Sequence, residues 1–62
     1  ARKSIILKNN VFKNSKINYS DLVIKRPGTG ISPNEINNVI GSVATKDLKK
    51  ETILKWPMLK KK

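Results

Sequence analysis

A small, mostly β domain with a pseudo-twofold internal repeat and one or more short helical turns is the fold class this sequence predicts, on three observations. Its apolar runs are short and bounded by Asn, Ser, Lys and Gly, which favours strands over long helices. The chain resembles itself at an offset of 37 positions. One segment alone carries both helix start and helix stop signals. At 62 residues the chain makes one small domain, and a domain of that size buries only about 60% of the surface its unfolded form exposes.

The repeat places Asn10-Val11-Phe12-Lys13-Asn14-Ser15-Lys16-Ile17-Asn18-Tyr19 over Asp47-Leu48-Lys49-Lys50-Glu51-Thr52-Ile53-Leu54-Lys55-Trp56, with Leu22 falling on Leu59 and Ile6-Leu7 on Val43-Ala44. Each half thus reads as a short strand, a polar turn, an apolar position, an aromatic residue and a closing leucine. Two copies are too few for a solenoid, which needs at least about three. The expected solution is a pseudo-twofold pair in which strands around Ile5 to Leu7 and Ser42 to Ala44 pair or cross. Val11, Ile17, Leu22, Leu48, Leu54 and Leu59 then form the shared interior.

Between the halves, Ser32 reads as an N-cap, Pro33 suits the first helical position, Glu35 completes a capping box, and Gly41 suits the stop. Ile36, Val39 and Ile40 give this helix of about two turns one buried face. Ser20-Asp21-Leu22 reads as a further single turn held by side-chain capping. Ahead of the helix lies Lys25-Arg26-Pro27-Gly28-Thr29-Gly30-Ile31, a shaped loop presenting a guanidinium. Pro27 fixes its own φ and biases Arg26 toward extended backbone, and the two glycines permit conformations that other residues avoid.

Composition removes several chemistries. The chain holds no Cys and no His, which excludes a disulfide framework, a thiolate nucleophile, the usual zinc sites and a Ser-His-Asp triad. Asp21, Glu35, Asp47 and Glu51 offer no paired acid and base, and Asp21 and Glu35 already have capping roles. Gly28-Thr29-Gly30 lacks the flanking residues of a phosphate-cradling loop. No catalytic and no metal-binding residue is assigned. Fourteen Lys and Arg against four Asp and Glu give a net charge of +10, favouring anionic partners. No apolar run approaches the roughly 20 residues of a membrane span, and no signal segment opens the chain, so a soluble, cytoplasmic protein is expected. Ala1-Arg2-Lys3 reads as the continuation of a longer chain or as the product of methionine removal.

The half-repeats and the Arg26-Pro27-Gly28-Thr29-Gly30-Ile31-Ser32-Pro33 connector together resemble the C-terminal antifreeze-like (SAF) domain of bacterial sialic acid synthases. These synthases carry a similar Arg-Pro-Gly-x-Gly followed by a Ser-Pro-like helix start, and Ala1-Arg2-Lys3-Ser4-Ile5 is similar to the entry into that domain. The resemblance covers residues 1–59 and leaves 60–62 as a basic tail. It implies the β-clip or pretzel fold of type III fish antifreeze proteins. It also implies a parent (β/α)8 barrel, outside these residues, that condenses phosphoenolpyruvate with N-acetylmannosamine or a related sugar using a divalent metal. In this domain itself no cofactor is expected. The resemblance further implies a swapped homodimer in which the domain caps the partner subunit's barrel and Arg26 reaches the sugar, with Thr29 and Gly30 as neighbouring loop candidates. A guanidinium suits that role because it offers several donors in a fixed fork. The family has Lys-Gly in each half-repeat where this chain has Lys13-Asn14 and Lys50-Glu51. Asn tolerates left-handed backbone and Glu does so less readily, which leaves the second turn's geometry open.

Two other functions compete with a non-catalytic, monomeric cap. An ice-binding role follows from the antifreeze relationship, but Lys13, Lys16 and Asn18 place hydrated groups on the face that such binding needs flat. A basic nucleic-acid module follows from the charge and from Phe12, Tyr19 and Trp56. Those aromatics sit at or beside apolar repeat positions, so packing in the core or at its edge is expected of them, with Trp56-Pro57-Met58 anchoring the C-terminal end.

Overall fold

The computed structural model describes residues 2–61. In chain order they form β1 (Ser4–Leu7), a 3-10 turn (Tyr19–Asp21), β2 (Leu22–Lys25), a 3-10 turn (Pro33–Glu35) leading into α1 (Ile36–Val39), β3 (Val43–Ala44), a 3-10 turn (Trp56–Met58) and β4 (Leu59–Lys60). The result is the small, mostly β fold that the short apolar runs predict. Among the described residues no helix is long and apolar enough to cross a membrane.

The repeat is a true structural pseudo-twofold. At its centre Val11 N donates to Leu48 O at 2.8 Å and Leu48 N returns the bond to Val11 O at 2.7 Å. Moving outward, Asp47 Oδ1 accepts from Lys13 N at 2.8 Å, as Asn10 Oδ1 accepts from Lys50 N at 2.8 Å. Asn14 N donates to Ala44 O and Glu51 N to Leu7 O, both at 2.8 Å. Each pair of equivalents is separated by the 37 positions seen in the sequence.

Strand pairing corrects one expectation. β1 and β3 do not pair with each other; each takes an antiparallel partner from its own half, β1 with β2 (Leu7 opposite Leu22) and β3 with β4 (Ala44 opposite Leu59). Isolated bridges, Ile6 to Ile53 and Lys16 to Val43, stitch the halves instead. Two-residue strands satisfy few backbone groups alone, so turns and bridges between halves take up the remainder. Lys60, read from sequence as part of a basic tail, is the last residue of β4 and lies opposite Val43; Lys62 lies outside the described residues.

All six predicted interior residues are buried, joined by Ile5, Leu7, Ile31, Val39 and Ala44 in one cluster. Ile5, Leu7, Ile17 and Leu54 are fully buried, and burial of such a side chain contributes about 1.5 to 3 kcal/mol. Ile36, Ile40 and Met58 pack against its margin.

The helix is shorter than two α turns. Ser32 Oγ accepts from Asn34 N at 3.2 Å, but the 3-10 geometry brings Glu35 N to Ser32 O, and the Glu35 carboxylate instead accepts from Asn38 Nδ2 at 2.9 Å. The capping box expected there is therefore not formed. Asp21 does act as expected, with Oδ2 accepting from Asn18 N at 2.9 Å. Gly41 ends the helix at φ 89°, a value that glycine adopts without a Cβ penalty.

Asn14 and Glu51 both adopt left-handed backbone, at φ 70° and 72°. The second turn thus has the geometry of the first despite its glutamate. Glu51 is also ion-paired, Lys25 Nζ lying 2.7 Å from its Oε1. That hydrogen bond and charge, with a smaller contribution from Lys50, lower the Glu51 pKa below its ordinary value. A lowered folded-state pKa means that the pair stabilises the fold above the ordinary carboxylate pKa and ceases to do so as pH falls through the folded value. Because both partners are exposed, the gain is small. Replacing Glu51 by Gly relieves the left-handed backbone and raises Tm by a few degrees, and the variant loses less stability than wild type on acidification. Thermal unfolding at neutral and acid pH checks both statements; a lower Tm at neutral pH means that the ion pair outweighs the backbone term.

Candidate functional site

The connector leaves β2 at Lys25 and returns to the core at Ile31. Its return point is a closed ring of three backbone hydrogen bonds: Ile5 N donates to Ile31 O at 3.0 Å, Ile31 N to Leu54 O at 2.9 Å, and Leu54 N to Ile5 O at 3.1 Å. Ile5 and Leu54 come from opposite halves of the repeat, so the connector is knitted into both.

A second clamp is Ser4, which is fully buried. Its Oγ donates to Pro27 O and accepts from Gly30 N at 2.9 Å, holding both arms of the loop. The Arg26-Pro27 peptide is cis. Neither Gly28 nor Gly30 adopts the left-handed backbone that the sequence suggests for them. Space is their requirement: a Cβ on Gly28 would stand 2.8 Å from the Arg2 carbonyl carbon, and one on Gly30 would stand 2.5 Å from Leu54 O.

This framework leaves Arg26 and Thr29 exposed and Gly30 half-buried. Among the described residues no hydrogen bond or ion pair engages the Arg26 guanidinium. Thr29 and Gly30 line a shallow groove of about 440 Å³ completed by Ile31, Ser32, Glu35, Lys55 and Trp56. Sequence reasoning named Arg26, Thr29 and Gly30 and missed the other side of the groove. The repeat sets Trp56 over Tyr19 at the start of equivalent turns but carries no signal that brings it beside the connector.

The aromatics correct a further expectation. Phe12 and Tyr19 are each 70% exposed and Trp56 is 47% exposed, so none is a core residue. In each half the turn that begins with the aromatic closes on itself, Asp21 N to Asn18 O and Met58 N to Lys55 O, and its leucine points inward in place of the ring.

Residues 2–60 match the SAF domain family. The chain belongs to that family. Over 55 residues this SAF domain is 44% identical to the N,N'-diacetyllegionaminic acid synthase of Legionella pneumophila, a match that covers 89% of the chain and 15% of that enzyme. The resemblance read from the connector and half-repeats is thereby confirmed at the level of the family, and the domain corresponds to a minor share of the enzyme's length.

The clamp yields an expected outcome. Ser4→Ala removes the partner of Gly30 N and of Pro27 O together; both bonds are part-buried, so the loss falls at the low end of the about 1 to 3 kcal/mol that an unpaired buried group costs. Gly30→Ala destabilises as well, because the added Cβ meets Ile53 Cγ2 and the backbone Leu54 O, and the latter cannot swing away. Chemical denaturation measures both; a Ser4→Ala variant as stable as wild type contradicts the clamp.

Proposed function

We propose that this SAF domain is the substrate-capping, dimer-contributing domain of a sialic acid or related nonulosonate synthase. On this reading Arg26 is donated to the partner subunit's barrel, where a sugar such as N-acetylmannosamine condenses with phosphoenolpyruvate. The observation that carries the reading is an exposed, unengaged arginine on a loop that Ser4 and the Ile5–Ile31–Leu54 ring hold against the core. The similarity to the Legionella synthase supports it.

The chemistry follows from that geometry. A guanidinium directs several N–H donors in one plane toward carbonyl and hydroxyl oxygens. Because the loop is already fixed, docking orders little more than the Arg26 side chain, which lowers the entropic cost of binding. The domain supplies no acid, base or metal ligand on this reading; bond formation, and the divalent metal, belong to the barrel. The cap positions the sugar and keeps water from it.

In the synthase that carries this domain, Arg26→Ala raises KM for the sugar about ten-fold or more, as expected for loss of a hydrogen bond to a charged donor, while KM for phosphoenolpyruvate stays within about two-fold. Steady-state kinetics with each substrate varied in turn provide the check. Unchanged sugar kinetics contradict the assignment.

A further inference from the structure

The groove beside the connector has two walls of different origin. One is the connector itself, Thr29 to Ser32, continued by Glu35 of the following 3-10 turn, and the other is the start of the last 3-10 turn, Lys55 and Trp56. Trp56 also borders a separate pocket lined by Asn38, Ser42, Leu59, Lys60 and Lys61, so it is shared by two depressions. Only one of these reaches the connector. A large aromatic side chain that is 47% exposed leaves apolar surface in water, and it carries a single N–H donor beside that apolar body.

The polar groups around it are mixed in sign and in hydrogen-bonding sense. Ser32 Oγ accepts from Asn34 N and keeps its own proton to donate. Glu35 Oε1 accepts from Asn38 Nδ2, which leaves Oε2 as a free acceptor. Thr29 supplies a second hydroxyl, and Lys55 an ammonium. A phosphate or phosphodiester has acceptors only and would meet the Glu35 carboxylate unfavourably. A polyhydroxylated ring with an amide substituent both donates and accepts, and its C–H face is the apolar partner that an indole takes. The groove's volume of about 440 Å³ has room for a monosaccharide and falls within the usual range for small-molecule sites.

We propose that Trp56 is a second substrate-facing residue of the cap, its indole packing against the C–H face or acyl group of the amino sugar while Thr29, Ser32, Glu35 and Lys55 meet the sugar's polar groups. The assignment rests on the capping role proposed above and deepens it. Arg26 and Trp56 then approach the sugar from two segments about thirty residues apart in the chain, the second of them outside the Arg-Pro-Gly connector. As a residue that contacts substrate without chemistry, Trp56 affects sugar binding and leaves the turnover of bound substrates largely unaltered.

The test uses the full-length synthase carrying this domain, with Trp56→Ala, Trp56→Phe and Arg26→Ala compared. Trp56→Ala raises KM for the acylamino hexose about 5- to 10-fold, the scale of one lost aromatic contact. Trp56→Phe retains most of the affinity, and KM for phosphoenolpyruvate and kcat stay within about two-fold for both. The fluorescence change on adding the sugar is smaller in Trp56→Phe than in wild type, a readout that does not depend on the Ala variant folding. Unchanged sugar KM in both Trp56 variants together with an unchanged fluorescence response overturns the assignment, and if Arg26→Ala raises sugar KM in the same experiment the capping role stands without it. A silent Arg26→Ala beside an active Trp56→Ala removes the arginine's role and keeps the groove's. Weakened dimerisation of Trp56→Ala, with both substrates' KM altered alike, identifies the groove's occupant as the partner subunit's polypeptide and also overturns the assignment.

Discussion

The connector's place in the fold depends on three backbone hydrogen bonds that join Ile5, Ile31 and Leu54 in a ring. Ile5 and Leu54 are fully buried and belong to opposite halves of the repeat, whereas Ile31 belongs to neither. In the other half, the equivalents of Leu54 and Ile5 are Ile17 and Ser42: Ile17 N donates to Ser42 O at 2.8 Å, Gly41 N donates to Ile17 O at 2.8 Å, and Ser42 N donates to Val39 O at 3.0 Å. Ile31 thus makes as one residue the two bonds that Gly41 and Val39 divide between them in the other half. Burying the backbone of a loop requires partners for its polar groups, and the ring with Ser4 Oγ supplies them. A loop so satisfied has little freedom left.

The strands themselves contribute modestly to this. Four strands of two to four residues form two separate two-stranded sheets, and isolated hairpins of that kind are marginal in water. Stability comes instead from closure of one half on the other through the reciprocal Val11–Leu48 bridge and the single apolar cluster beneath it. Two of the acids serve the same end, Asp47 accepting from Lys13 N and Glu51 from Lys25 Nζ across the halves, while Asp21 and Glu35 accept local bonds from Asn18 N and Asn38 Nδ2. Only Glu51 is ion-paired among the described residues, so the surface carries its positive charge nearly uncompensated and favours an acidic counter-surface.

Much of this was legible in the sequence. The 37-residue offset located the dyad, and the six leucine, isoleucine and valine positions that it aligned are all buried. Strand partners were not legible, because which edge a two-residue strand takes is decided by long-range closure and not by its own pattern. Local chemistry argued against a left-handed Glu51, yet the bond from its N–H to Leu7 O and its equivalence with Asn14 impose that backbone. The aromatics misled in the opposite direction, since apolar character at a repeat position was taken as burial while Leu22 and Leu59 already fill the space below those turns. Of the candidate site, the connector was visible as a motif. Its opposite wall was not, because Lys55 and Trp56 join Thr29 and Ser32 only through the fold.

The central claim is that the connector is held as firmly as the core before anything binds it. Amide hydrogen exchange in the 62-residue chain measures this directly. If the ring is intact in solution, the Ile31 amide exchanges with the same opening free energy as Ile5 and Leu54, and close to that of Val11 and Leu48. An Ile31 amide that exchanges orders of magnitude faster while Ile5, Leu54, Val11 and Leu48 remain protected would show a connector that the core does not hold, and would contradict the account.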